Sequence, residues 1–209
     1  MTIQETGETL PRLVLRLPGT WSTIPLDDRE RARTAIRELV RRQVGAADDR
    51  AILRDELSRH LLAALESSID GDGQSFHVAL QIVPRIPIPV SVSVSLPQQA
   101  ITPSVGTSPA AVMAVLERGL EQTLVQTWPT AKKFDTRESA VLRLHRRVPI
   151  PTPEGQEPLD ALVADYWMTV PGTKRFVLVS CSTAFGSLEE VMLGFFDSLV
   201  KVTRWDASA

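Results

Sequence analysis

Cysteine is nearly missing from this chain. Cys181 is the only one in 209 residues, which excludes an internal disulfide and leaves no thiol pair for a zinc site. Histidine is scarce as well. His60, His77 and His145 are the full set, and none has a second His, Cys or carboxylate at ligand spacing, so no metal or other cofactor is expected. Aromatic residues are only 5%, too few for a base-stacking platform. A formal net charge of -2 supplies no pull towards nucleic acid or an anionic membrane. No uncharged apolar run approaches the 18 or so residues of a bilayer span, so membrane insertion is not expected. The opening "MTIQETGETLPRL" lacks the basic start and apolar core of a secretory signal. A cytoplasmic protein is the expectation.

Lysine is also rare: only positions 132, 133, 174 and 201 carry it, and Arg makes up the rest of the 23 basic residues. That skew fits a GC-rich genome, such as an actinobacterial one, better than a binding task. The catalytic signatures are missing too. "SCST" around Cys181 has no elbow glycines, "FGSLEE" is not a G-x-S-x-G, and no glycine-rich phosphate loop occurs. Asp27-Asp28 and Asp48-Asp49 stand at helix starts, where the helix dipole accounts for them. The arginines from Arg29 to Arg42 interleave with acids and read as a solvated helix face. Enzymatic activity is therefore not expected, nor is nucleic-acid binding.

What the chain does have is alternation. In "PIPVSVSVSLP" (87–97), Val90, Val92, Val94 and Leu96 point one way and Ser91, Ser93 and Ser95 the other. "SFHVALQIV" alternates likewise, with Phe76, Val78, Leu80 and Ile82 opposite His77, Ala79 and Gln81. Further strands are read at 12–17, ended by Pro18-Gly19, and at 140–148, 161–170 and 175–183, with a short one near 132–135. Helices are read over 27–44, with a stripe of Ala32, Ile36, Leu39 and Val40 stopped by Gly45, and over about 49–68, with Ile52/Leu53, Leu57, Leu61 and Ala64/Leu65. A third runs from Ser108-Pro109 with Val112, Val115/Leu116, Gly119 and Leu120. The last carries Leu188, Val191/Met192, Phe195/Phe196 and Leu199 behind a Ser187–Glu190 capping box. "RIPIPV" and "RVPIPT" read as strand-ending punctuation, because proline removes a backbone donor.

The order β-α-α-β-β-α-β-β-β-α predicts an α+β fold: an antiparallel sheet of about six strands flanked by four helices, an α/β/α sandwich. Residues 1–10 are expected to be a disordered tail and 11–206 a single domain. Six strands make a sheet about 29 Å wide. Three helices fill one face, and the fourth must lie over the second face or outside the first. Alternation collects Ser91, Ser93, Ser95, Arg143, His145, Arg147 and Trp167 opposite the clearly apolar rows, together with His77, Asp165 and Thr169. Small residues there admit a helix, and large polar ones suit water or a ligand. The expectation is a partly covered face with a groove beside the cover. Simple solvation of that face is the alternative.

"LPGTW" after the first strand, a middle hairpin, and "TKRFVLVSCST" ahead of the closing "EEVMLGFFDSLVKVTRW" helix resemble the PsbP-like and DcrB-like α/β/α sandwiches. In those proteins a P-x-x-W segment, here Pro18 to Trp21, follows the first strand. The helical stretch 28–69 is longer than the resemblance implies. The resemblance implies a non-catalytic role: such proteins bind other proteins, including a small GTPase, a photosystem assembly and hydrophobic helices of secreted toxins. The expected function is thus a protein-binding adaptor or chaperone-like module, with partner contacts at Arg143, His145, Arg147, Trp167, Ser91, Ser93 and Ser95. Two alternatives stand beside it: a small-ligand binder or enzyme with a pocket near His145 and Trp167, and a homodimer built through the serine strand as a sheet edge.

Overall fold

In the computed structural model, residues 11–45, 47–82, 88–97, 106–123, 130–150 and 159–206 are described. The expected tail lies outside them, as do residues 85–87 and 151–152 of the two proline-rich punctuations. Seven strands form the main sheet: β2 (Ser22–Ile24), β3 (Gly73–Ala79), β4 (Val90–Ser95), β5 (Thr130–Asp135), β6 (Ala140–Ile150), β7 (Leu159–Thr169) and β8 (Phe176–Thr183). They lie in the order β2-β3-β4-β8-β7-β6-β5, with every neighbour antiparallel. The helices are α1 (Arg29–Val44), α2 (Ala51–Asp70), α3 (Pro109–Thr123) and α4 (Glu189–Lys201). The fold is α+β, as the alternation and helical stripes predict.

One expected element has a different job. The first strand is cut to β1 (Arg12–Val14), which leaves the main sheet and pairs with β9 (Arg204–Asp206), just after α4. Leu13, Leu15, Leu17 and Trp21 of this stretch pack on the α4 side of the core. The Trp21 indole N–H donates to the Pro18 carbonyl at 2.8 Å.

α1 forms where its signals put it. The Asp28 side chain accepts from the Arg31 backbone N–H, Gly45 takes φ +92 to stop the helix, and Ala32, Ile36, Leu39 and Val40 are buried. Its arginines are not merely solvated. Arg29 pairs with Glu66 and Asp70, and Arg33 with Glu66, tying α1 to α2. In α2 the buried stripe is Leu57, Leu61 and Leu65, while Ile52 and Leu53 face water. In α3, Met113 joins Val112 in the core; Gly119 is exposed and touches nothing. The Ser187–Glu190 capping box does not form. Ser187 sits in a 3-10 turn, and α4 starts after Leu188 without a side-chain cap. Leu188 and Val191 are exposed, so the buried face of α4 is Met192, Leu193, Phe196, Leu199 and Val200. Nor does proline end β6: pairing runs on through Pro149 to Ile150.

α1, α2 and α3 cover one face of the sheet and α4 the other. Phe76 and Val78 of β3 pack with α1 and α2, and Met113 of α3 packs with Ala140, Leu142 and Leu144 of β6. On the opposite face Val90, Val92, Val94, Val179, Cys181, Tyr166 and Met168 meet Met192 and Phe196 of α4. Each large side chain fully buried there contributes about 1.5–3 kcal/mol. Among the described residues, no helix is long and apolar enough to cross a membrane.

Candidate ligand-binding groove

Directly opposed residues of an antiparallel pair share a face. The register therefore lays out three rows across the α2/α3 face. One runs Val78, Ser91, Ser182, Val163, Arg146; the next Phe76, Ser93, Ser180, Asp165, Leu144; the third Ser95, Leu178, Trp167, Leu142. α2 lies over β3 and β4, and α3 over β6 and β7. Beside α2 an open groove of about 710 Å³ is lined by the serine rows and by no residue of α3, within the size range of ligand sites. His60, Ala63, Ala64, Ser67, Ser68 and Gly71 of α2 and its end form one wall.

The serine face thus looks at neither water nor a sealed helix layer. The hydroxyls gather on β4 and β8, and Leu178 of β8 with Val163 and Trp167 of β7 supply apolar surface. Ser91 and Ser182 share a hydrogen bond of 2.7 Å, and His60 Nε2 lies 3.4 Å from Ser182 Oγ. The Ser180 hydroxyl donates to Asp165 at 2.6 Å, and Arg146 closes on Asp165 at 2.7 Å. Ser93 and Ser95, which line the groove, make no side-chain hydrogen bond among the described residues, and Ser68 Oγ is buried without a partner. Hydroxyls left so cost about 1–3 kcal/mol each when water is excluded.

Burial pushes the His60 imidazole down to about 4, so it is neutral at neutral pH. A His beside a Ser invites comparison with a nucleophile and its base, but 3.4 Å is a long contact and so depressed a pKa makes a poor base. Cys181 is fully buried on the other face, and burial raises its thiol far above the usual range. No group of three or more His, Cys, Asp or Glu side chains able to hold a metal ion occurs among the described residues.

The seven expected contact residues divide between the two faces. Ser91, Ser93, Ser95 and Trp167 line the groove. Arg143, His145 and Arg147 lie beneath α4, because their rows run through Tyr166, Ala164 and Leu162. Arg143 is buried and pairs with Asp197 at 2.9 Å. Asp197 also accepts from the Tyr166 hydroxyl at 2.9 Å and from Lys132 at 2.9 Å. Burial alone would raise the Asp197 carboxyl, but Lys132, Tyr166 and Arg143 together hold it below its ordinary value. His145 and Arg147 both reach Glu189, at 3.2 and 2.7 Å. Arg143 Nε and His145 Nδ1 are buried without a hydrogen-bond partner among the described residues. His77 likewise falls on the α4 side, opposite Val92 and bonded to Thr23.

Two expectations fail with this division. His145 and Trp167 stand on opposite faces and cannot wall one pocket. The serine strand, β4, lies between β3 and β8 and is not an edge through which copies could pair. Conversely, Ser180, Ser182, His60, Arg146 and Leu178 belong to the groove and were not picked out. The alternation in "LVSCST" carried the signal for the two serines: Leu178, Ser180 and Ser182 against Val179 and Cys181.

The class the fold defines is an α+β protein with a seven-stranded antiparallel sheet, covered by three helices on one side and one on the other. No protein-family model and no curated protein matches the chain, so the PsbP-like resemblance has no such match behind it. Among solved structures the chain is similar to LpqN of Mycobacterium tuberculosis, described as involved in cell envelope biogenesis. The identity is 10% and the TM-score 0.45, covering 97% of this chain and 88% of LpqN. So loose a likeness carries no argument about function.

Proposed function

We propose that the protein is a non-catalytic binding module, an adaptor or chaperone-like partner in the cytoplasm, that receives a segment of another protein in the groove beside α2. One observation carries the reading: an open groove on whose floor Ser93 and Ser95 make no side-chain hydrogen bond among the described residues. Natural interiors pair their buried polar groups, so a floor of unpaired hydroxyls suits an occupant that hydrogen-bonds to it.

The experiment is a random-peptide display selection on the full chain, with counter-selection on Ala63→Phe. Ala63 is an exposed helix residue on the groove wall, so the phenyl ring fills the groove at little cost to folding. The reading expects enriched peptides that bind the wild type and not the filled variant. Enriched peptides that bind both alike would overturn it. So would a small molecule found tightly bound to the purified protein by native mass spectrometry and absent from Ala63→Phe.

A further inference from the structure

We infer that a second surface, the cleft between α1 and α2, binds an acidic segment of a partner protein and seats a carboxylate between Arg37 and Arg41. The cleft uses the side of α2 opposite the serine groove, and it stands or falls independently of the binding reading above.

The cleft follows from spacing in α1. Arg29, Arg33, Arg37 and Arg41 recur at every fourth residue, a ladder along one side of the helix with rungs about 6 Å apart. The first two rungs meet acids of α2. Glu66 alone spans them, 3.0 Å from Arg29 and 2.6 Å from Arg33, and Asp70 also takes Arg29. These pairs run backwards along α2, so the next acids would be due at 62 and 58. Leu62 and Ser58 stand there instead. Arg37 and Arg41 make no ion pair and no side-chain hydrogen bond among the described residues. The carbonyl end of α1 does not occupy them either. Arg50 donates to the Val44 carbonyl, and Arg54 to those of Gly45 and Ala47.

Charge and shape then select the partner. Four arginines, Arg37, Arg41, Arg54 and Arg59, and one acid, Asp55, line an open cleft of about 530 Å³ with Val40 and Leu62. Asp55 is already held by Arg59. Glu38 lines a separate hollow, and Asp48 and Asp49 line neither. The cleft therefore keeps an excess of positive charge on a chain whose formal charge is -2. That overall charge opposes a long polyanion such as nucleic acid or an anionic membrane, whereas a short acidic stretch meets only the cleft. A carboxylate fits between the two guanidiniums with one oxygen to each, as Glu66 does lower on the same ladder. Ile52, 61% exposed, stands three residues before Asp55 and seven before Arg59, on the same side of α2. It offers apolar surface to a neighbouring side chain of that segment, which a phosphate chain does not use.

The test is a peptide display selection at ~0.05 M salt on Ala63→Phe, whose serine groove is filled. Counter-selection uses the same variant carrying Arg37→Gln/Arg41→Gln. An enriched peptide is then labelled with a fluorophore and titrated against the full wild-type chain by anisotropy. Enriched peptides should carry Asp or Glu, and replacing that acid with Asn or Gln should weaken binding about tenfold. Arg37→Gln/Arg41→Gln should weaken it about tenfold as well, with circular dichroism and the urea midpoint unchanged, because both side chains are exposed. Arg137→Gln/Arg204→Gln removes the same charge from exposed residues outside the cleft and should change Kd less than about twofold. Raising salt from ~0.05 to ~0.5 M should cost about tenfold. Enriched peptides without acids, an equal loss in Arg137→Gln/Arg204→Gln, or a selection that enriches nothing overturns the inference. So does a single-stranded oligonucleotide or a phosphatidylserine vesicle that binds through Arg37 and Arg41 more tightly than the best peptide. A dimer in the ultracentrifuge that Arg37→Gln/Arg41→Gln abolishes puts a second copy in the cleft and overturns it too. The serine-groove selection is run at ~0.5 M salt, where this cleft is screened, so either surface can fail without the other.

Discussion

Asp197 is the charged anchor of the α4 face. Its carboxylate, 6% exposed, accepts from Arg143, Tyr166 and Lys132. Replacing it with Leu leaves the buried Arg143 guanidinium without its counter-ion, and breaking such a pair from one side costs about 3–5 kcal/mol. Arg143→Met strands the carboxylate in the same way, although Lys132 and Tyr166 still reach it, so the lower end of that range is expected. The double variant removes both charges. It should retain only the penalty of an unpaired Tyr166 hydroxyl, about 1–3 kcal/mol, because the half-exposed Lys132 can turn to water. Urea denaturation followed by circular dichroism measures all four corners of the cycle. With an m-value of about 2 kcal/mol/M, each single variant should lower the midpoint by roughly 1.5–2.5 M. The double should fall no further than either single. If the two losses simply add to within about 0.5 kcal/mol, the groups do not act as a pair and the reasoning is refuted.

Other consequences are as direct. His60 holds a pKa of about 4 when folded and about 6.5 when unfolded. The unfolded chain therefore takes up the proton first, and about 3 kcal/mol of stability, complete above pH ~6.5, is lost as pH falls through ~4. His60→Gln should flatten that part of the pH–stability profile, and parallel wild-type and variant profiles would contradict it. A Cβ on Gly73 would stand 2.4 Å from Ser68 Oγ and 2.7 Å from the Ser68 carbonyl, so Gly73→Ala should cost about 1–3 kcal/mol in thermal unfolding. Gly194 is a helical position with nothing within 4 Å of an added Cβ. Gly194→Ala should therefore stabilise by about 0.5–1 kcal/mol, and a loss would show that the exposed face of α4 is in contact with something.

Elements with strong local signals were legible from sequence. Asp28 and Gly45 bracket α1, and Ala32, Ile36, Leu39 and Val40 recur at helical spacing, so cap, stripe and stop agree. Counting widths puts three helices on one face and leaves the fourth either over the second face or outside the first; α4 takes the second face. What stayed hidden was parity. Phe76 and Val90 both head apolar alternating rows, yet Phe76 opposes Ser93 and His77 opposes Val92. Both faces of this sheet carry helices, so either alternate set can be apolar, and a shift of one residue in register exchanges the faces. Only the pairing, across a connection of ten residues, settles it. The same parity placed Arg143, His145 and Arg147 on the α4 face, where Asp197 and Glu189 of a distant helix reach them. Pairs formed across more than forty residues of chain leave no local spacing to read. Trp167 and the three serines share one face because the register carries them there.

The account stands on a serine face open to a visitor and a valine face closed by α4. Cysteine labelling measures the contrast directly, since native Cys181 is fully buried and burial holds its thiol protonated. Ser93→Cys, on the groove floor, should react with a small alkylating reagent in the folded protein and be shielded by a bound peptide. Val92→Cys, one residue away under α4, should stay silent until the protein unfolds. If Ser93→Cys is as silent as Val92→Cys, the groove is closed and the binding account fails.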